Sequence, residues 1–205
     1  MINYAVWDPR SGTEVTSIAP TATKSGGIGT ISNISNAAGS GNVRGTTNTD
    51  PYTVSNPPNT LSYGAVTNAT VVGVFAPSFT PSQGVTLSLT NLAQLAGGQT
   101  YRINLWGSSF ETSSTLNLST DLGTTLATVS TPAVAGVKPL TRWTFDYNPD
   151  DTSEVLNIAL ISGTTGSGNF HTVIQAIDIS IVPEPGSAVL LFGAAAAFML
   201  KRRRC

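Results

Sequence analysis

The chain has 205 residues, of which 40% are hydrophobic and 10% are charged, against roughly 25% charged residues in an average soluble protein. Ser, Thr, Asn and Gly replace the missing charge, and because they are poor helix formers, long amphipathic helices are excluded. Before residue 183 the chain carries six basic and ten acidic residues, so no nucleic-acid partner is expected.

The first part of the chain is poor in regular patterns. Residues 3–7 (Asn-Tyr-Ala-Val-Trp) are typical of the opening strand of a domain. Residues 21–58 are dominated by Ser, Gly, Asn, Thr and Pro. This composition predicts long loops between edge strands, or partly disordered chain.

From residue 71 onward, apolar and polar residues alternate in short runs separated by turn residues. Alternation of this kind places every second side chain on one face of a strand. The predicted strands are 71–75, 85–90, 101–106, 116–118, 126–129, 142–147, 156–160 and 173–182. The sequence therefore predicts one all-β domain over residues 1–182, an antiparallel β-sandwich or jelly roll.

Candidates for catalysis are few. The sequence contains one histidine, His171, so a Ser-His-Asp arrangement has a single candidate base. The segment around it is typical of a turn or strand edge, and no nucleophile motif accompanies it. We expect a protein that is not an enzyme, with a hydrolase of unrecognised site as an open alternative.

One acidic segment has the oxygen ligands that calcium prefers. Asp146, Asn148 and Asp150 occupy alternate positions, as calcium ligands do in a binding loop. Asp151, however, stands where such a loop has Gly, and Asn157 where it has Glu. A polar hairpin loop explains the same residues, so calcium is a weak candidate and no other cofactor is predicted.

The three tryptophans are Trp7, Trp106 and Trp143. Aromatic faces stack on the apolar faces of sugars, but packing in the core is the favoured interpretation for all three. The alternation in strand 101–106 turns Trp106 to the side opposite Tyr101, Ile103 and Leu105. Trp106 is therefore predicted to face outward and is the candidate glycan contact.

The C-terminal segment 183–205 has three parts. Pro183, Glu184 and Pro185 interrupt any strand or helix. An uncharged stretch follows, and as a helix it spans about 20 Å, short of the roughly 30 Å hydrocarbon core of a bilayer. The four cations that follow favour the cytoplasmic side of the membrane. Their long aliphatic side chains can extend to the membrane interface, which helps a short helix to span the bilayer. The predicted membrane helix includes Ala188, Val189, Leu190, Leu191, Phe192, Phe198, Met199 and Leu200, and the basic end is Lys201, Arg202, Arg203 and Arg204.

These three parts, in this order, resemble the PEP-CTERM sorting signal. The resemblance implies export by a Gram-negative bacterium, often one that makes extracellular polysaccharide. It also implies transient anchoring in the inner membrane and processing by an exosortase, a membrane transpeptidase-like enzyme. Cys205, after the arginines, departs from the pattern. Such proteins begin with a secretion signal, and residues 1–10 do not form one. We expect that signal upstream of Met1, and the open alternative is a vestigial tail on a protein that is not exported.

The expected function follows from the tail and from the scarcity of catalytic groups. The leading interpretation is an exported structural protein at the cell surface or in the extracellular matrix. The first alternative is a carbohydrate-binding module acting on exopolysaccharide, which would lose glycan binding on Trp106→Ala. The second is a hydrolase whose turnover would require His171.

Overall fold

The computed structural model describes residues 1–8, 12–24, 26–38, 41–45, 54–55, 70–71, 73–76, 83–92, 99–131, 141–150 and 153–183. This part of the chain is all-β, and its strands pair antiparallel. The strands are β1 (Asn3–Val6), β2 (Ser17–Ile18), β3 (Ala22–Thr23), β4 (Thr30–Ile31), β5 (Ile34–Asn36), β6 (Arg44–Gly45), β7 (Val54–Ser55), β8 (Thr70–Val71), β9 (Val74–Phe75), β10 (Gly84–Thr90), β11 (Tyr101–Thr120), β12 (Thr125–Thr131), β13 (Thr141–Tyr147) and β14 (Leu156–Ile181).

Two long strands, β11 and β14, organise the molecule. They pair along their whole lengths, from Tyr101 opposite Ile181 to Thr120 opposite Leu156, with register shifts between residues 106 and 114. On one side of these shifts, β13, β1, β3, β9 and β6 complete a layer that we call layer A. On the other side, β12, β10, β4, β5 and β2 complete layer B.

The two layers face each other across one hydrophobic core. Ile103 and Ile177 of layer A belong to the same buried cluster as Leu87 and Leu160 of layer B. A hydrogen bond from the Tyr101 hydroxyl to the Leu92 carbonyl also joins the layers. Two antiparallel layers around one core form a β-sandwich, so the predicted fold class is confirmed.

The alternation in the sequence matches the burial of the side chains. In β10, Val85, Leu87 and Leu89 are buried while Thr86 and Ser88 are half-buried. The same pattern holds for two further sets that were predicted to face inward, Tyr101 with Ile103, and Leu156 with Ile158 and Leu160. In the last strand Ile177 and Ile179 are buried as predicted, but Asp178 between them is buried too, and Ile181, predicted to share their side, is 36% exposed. Burial of alternate apolar side chains is what fixes the strand register.

The prediction of separate short strands was wrong for the two longest elements. The runs 101–106 and 116–118 are parts of β11, and 156–160 and 173–182 are parts of β14. The connecting segments are rich in Ser, Thr and Gly, which is typical of turns. They nevertheless remain in the ladder, since Ser108 pairs with Val173 and Ser114 with Ser162.

The described portion of 21–58 consists of very short strands joined by loops. β3, β4, β5 and β6 have two or three residues each. They add to the edges of the two layers, for example by pairing β4 and β5 with β10. Ile34 and Val43 from this stretch are fully buried, so these loops contribute to the core.

Candidate functional site

The sorting segment leaves the sandwich directly after its last strand. β14 ends at Ile181, and the Val182 amide donates a hydrogen bond to the Thr100 carbonyl at 2.9 Å. The Gln99 side chain donates to the Val182 carbonyl at 3.3 Å. Pro183 is exposed, so the chain leaves layer A at this position.

The rest of the sorting segment lies outside the described residues. This applies to Glu184 and Pro185, to the predicted membrane helix and to the basic end. No helix in the part of the chain that the structure describes is long and apolar enough to cross a membrane. The membrane helix therefore stays a prediction from the sequence.

The outer side of layer A carries a continuous polar surface. Four strands, β13, β11, β14 and β1, present it side by side. We call it the outer polar face, and its residues are Tyr4, Arg102, Asn104, Thr144, Asp146, Asp178 and Ser180. Because they alternate with core residues along each strand, all of them point away from the core.

A salt bridge forms one row of the outer polar face. Arg102 and Asp146 lie opposite each other, and the guanidinium donates to both carboxylate oxygens at 2.8 and 2.9 Å. The hydrogen bond from Arg102 lowers the pKa of Asp146 below its usual value, and Asp146 raises the pKa of Arg102 in return. Both groups are largely exposed, so the pair contributes little to stability.

A chain of hydrogen bonds forms the next row. The Thr144 hydroxyl donates to Oδ1 of Asn104 at 2.7 Å, and Nδ2 of Asn104 donates to a carboxylate oxygen of Asp178 at 2.9 Å. Tyr4 lies directly opposite Asp178 on β1. Hydroxyl, amide, carboxylate and phenol groups are therefore ordered in a line across four strands.

Trp106 occupies the third row but is not accessible. Only 3% of Trp106 is exposed, and its neighbours in that row, Ala176 and Val6, are 0% and 1% exposed. Trp106 lies opposite Arg142 and Ala176, on the outer side that the alternation predicts, but it is covered there. The prediction of Trp106 as an accessible glycan contact was therefore wrong, and its burial agrees with the favoured interpretation of packing. As predicted, the structure packs Trp7 and Trp143 in the core.

A cavity of about 260 Å³ lies beside the outer polar face. Tyr4, Lys24, Thr23 and Thr30 line it together with the glycine-containing loop 26–29. Asn3 holds this loop, because its side-chain amide donates to the carbonyls of residues 28 and 29 at 3.1 and 3.0 Å. Sequence reasoning missed this site, since the sequence brings β1 and residues 23–31 together only through pairing.

The residues of the weak calcium candidate are held by protein contacts. Arg102 binds both oxygens of Asp146. The Asp150 amide donates to the Glu154 carboxylate at 2.7 Å, and burial followed by Glu154 raises the pKa of Tyr147. Within the described ranges, no group of three His, Cys, Asp or Glu side chains could hold a metal ion. The calcium site stays a weak prediction.

His171 is a buried residue in the middle of β14. It is 1% exposed, and its Nδ1 lies 3.1 Å from the Ala76 carbonyl oxygen. Its ring packs edge-on against Phe75, with the centroids 5.2 Å apart. The prediction of a turn or strand edge was wrong because β14 continues through this segment. In this position His171 packs between strands and is not presented to a substrate in solution.

Comparison with solved structures gives weak likenesses. The enzymatically active domain of tailspike protein 4 of bacteriophage CBA120 is 12% identical, with a TM-score of 0.42, covering 74% of this chain and 19% of that one. The CBM36-1 domain of a xylanase from the hindgut metagenome of Trinervitermes trinervoides is 19% identical, with a TM-score of 0.36, covering 60% and 90%. TmCBM61, solved with beta-1,4-galactotriose, is 15% identical, with a TM-score of 0.38, covering 68% and 88%. The chain thus spans about a fifth of the tailspike chain.

The sorting segment gives the specific match. Residues 182–204 match the family model of the PEP-CTERM protein-sorting motif, which confirms the resemblance inferred from the sequence. No curated protein matches the chain in sequence. The motif begins one residue after β14 ends. The chain therefore carries a PEP-CTERM protein-sorting motif directly after an all-β sandwich, which indicates an exported protein with a membrane-associated sorting tail.

Proposed function

We propose that this protein is a non-catalytic structural component of the cell surface or extracellular matrix, released there when an exosortase-type enzyme processes its tail. The observation that carries the proposal is the position of the sorting motif at residues 182–204, directly after the last strand. All the described strands of the sandwich lie before the exposed Pro183, so a cut after it leaves each of them in the domain. The domain can therefore stay folded after the tail is removed.

The interior of the sandwich supports a structural role. The single histidine is buried against Phe75 and the Ala76 carbonyl. General acid–base catalysis needs a titratable group within hydrogen-bonding reach of a substrate. On the outer polar face, the exposed charged groups Arg102 and Asp146 are held in a salt bridge with each other. A buried histidine and paired surface charges support a structural role for the domain.

The test is the intact mass of the protein recovered from membranes, from the cell surface and from the medium. We expect a longer species in the membrane and a species shortened after the Pro183–Glu184–Pro185 region outside the cell. Glu184→Ala with Pro185→Ala should keep the longer species in the membrane, because the motif is altered. Asn148→Ala, in an exposed loop, is the matched control and should be processed normally. An unshortened chain confined to the cytoplasm would show that the proposal is wrong.

A second candidate function is carbohydrate binding at the outer polar face, and the row Thr144–Asn104–Asp178–Tyr4 favours it. The exposed Thr144 hydroxyl and the half-buried Asn104 amide can hydrogen-bond to the hydroxyls of a sugar chain, and the buried Asp178 orients Asn104. The half-buried Tyr4 lines the adjacent cavity and offers an aromatic ring for stacking. Tyr4 replaces Trp106 as the candidate glycan contact, because Trp106 is buried.

Affinity electrophoresis tests this second candidate. The full chain in mild detergent is run through gels that contain xylan, alginate or hydroxyethyl cellulose. Slower migration in one of them is expected for the wild type and for Tyr4→Phe, which keeps the ring, and normal migration for Tyr4→Ala. Equal migration of all three variants in every gel would exclude glycan binding through Tyr4 to these polysaccharides.

A further inference from the structure

Among the strands that the structure describes, β12 is an edge strand of layer B. Within the described residues it pairs with β11 alone. Its sequence, Thr-Leu-Ala-Thr-Val-Ser-Thr, contains no charged residue and no proline. Leu126 and Val129 are 46% and 44% exposed. A long, uncharged edge with exposed apolar side chains is a surface on which another strand can pair.

The other described edges of the two layers are protected. β13, the corresponding edge of layer A, carries the exposed charges of Arg142 and Asp146. At the opposite edges, β2 and β3 have two residues each. Charged residues and short strands are the usual means by which proteins prevent edge pairing. β12 has seven residues and no charge. Among the described edge strands, it therefore has neither form of protection.

We propose that β12 pairs antiparallel with β12 of a second copy of this chain, about a two-fold axis at Thr128. Thr128 is the central residue of the strand, so the axis pairs all seven residues. Thr125 then lies opposite Thr131 of the partner subunit, and Ala127 opposite Val129 of the partner subunit. With a two-fold axis, both copies use the same strand edge for the contact. That edge is then occupied in each copy, so the assembly stops at two copies.

Apolar contact favours this pairing. On β11, Leu116 lies opposite Val129 and Leu118 opposite Ala127. Directly opposed residues share a face of a sheet, so Val129 and Ala127 point to the side of the buried Leu116 and Leu118. Pairing two copies would cover the exposed Val129 with Ala127 of the partner subunit and extend the apolar face across the axis.

The charge of β12 and the location of the protein favour a second copy of this chain as the partner that pairs with β12. Two identical strands repel each other when they carry charge, and β12 carries none. A sorting tail also concentrates copies of the chain in one membrane, which raises their effective concentration relative to a partner in solution. The exposed Thr128 hydroxyl donates to Oδ1 of Asn117 at 3.2 Å, on the face opposite Val129 and Ala127, and can stay in contact with water in the pair.

Cysteine crosslinking tests the predicted axis. Directly opposed residues of antiparallel strands have Cα atoms about 4.5 to 5.5 Å apart, within the range that a disulfide bridges. The full chain in mild detergent, with Thr128→Cys and Cys205→Ser, should form a disulfide-linked dimer on oxidation. The matched control, Asn148→Cys with Cys205→Ser, places the thiol in an exposed loop after β13 and should stay monomeric. Absence of the dimer at position 128 would overturn the proposal.

Sedimentation velocity gives an independent test that does not depend on a disulfide. The wild-type chain should sediment with twice the protein mass of one copy, and Thr128→Lys with the mass of one copy, since it opposes two cations at the axis. Asn148→Lys adds the same charge elsewhere and should remain a dimer. Equal midpoint temperatures of thermal unfolding would show that the variants fold like the wild type. A wild-type monomer, or a dimer that persists in Thr128→Lys, would contradict pairing through β12.

Discussion

At the scale of single residues, the close approach of a neighbouring backbone limits which residue can occupy the register shift in β11. Gly107 lies on β11 where the register shifts, and it pairs with Thr141 on one side and Ile174 on the other. A Cβ atom there would lie 2.6 Å from the Val173 carbonyl oxygen and 3.1 Å from Cδ2 of Leu160. Since the first of these neighbours is backbone, it cannot rotate away, so glycine is required at this position.

We therefore expect Gly107→Ala to lower the free energy of unfolding by about 1 to 3 kcal/mol, the usual cost of overpacking. Gly123, in the turn between β11 and β12, is the contrasting position. It has a φ of +81° with nothing within 4 Å of an added Cβ, and Asn adopts such a φ readily. Gly123→Asn should stay within about 0.5 kcal/mol of the wild type. Urea denaturation measures both changes, and equal midpoints would contradict the close approach at residue 107.

At the scale of elements, β14 holds the sandwich together because it belongs to both layers. Residues 156–161 lie between β10 and β11, and residues 176–179 lie between β1 and β11. β12, in contrast, is paired on one side within the described chain. An amide exchanges with solvent at the rate set by local opening, which is slowest for strands with neighbours on both sides.

Hydrogen exchange should reflect this difference. In the Thr128→Lys variant, which removes the proposed pairing with a second copy, we expect the amides of 156–161 and 176–179 to exchange slowest. The amides of β12 should exchange faster, because one edge of the strand faces water. Mass spectrometry of peptides after timed deuterium labelling measures both sets. Equal protection of β12 and β14 would show that another segment covers the edge of β12.

At the scale of the whole molecule, two parts of the chain have separate roles. The sandwich carries its charge as a net acidic surface, whereas the segment after residue 183 carries four cations against one carboxylate. The sorting motif begins where the hydrogen-bond ladder ends. In the proposals made above, the tail directs export and processing, and the outer polar face and β12 contact other molecules.

Local sequence patterns determined a large part of this description. Alternation of apolar and polar residues predicted which side chains of β10, β11 and β14 are buried, because a strand has a period of two wherever it is regular. The sorting motif was identified from its resemblance to a known signal, because its three parts are contiguous in the sequence and occur in a fixed order. The match to residues 182–204 confirmed that prediction.

Only the tertiary structure decided how the strands continue and meet. Separate runs joined into β11 and β14 because polar segments that resemble turns found partners in the ladder. Trp106 lies on the outer side of layer A and is nevertheless buried there, and the continuity of β14 buried His171. The row Thr144–Asn104–Asp178 joins residues up to 74 positions apart. Long-range pairing depends on the packing of the whole core, so no local pattern in the sequence contains it.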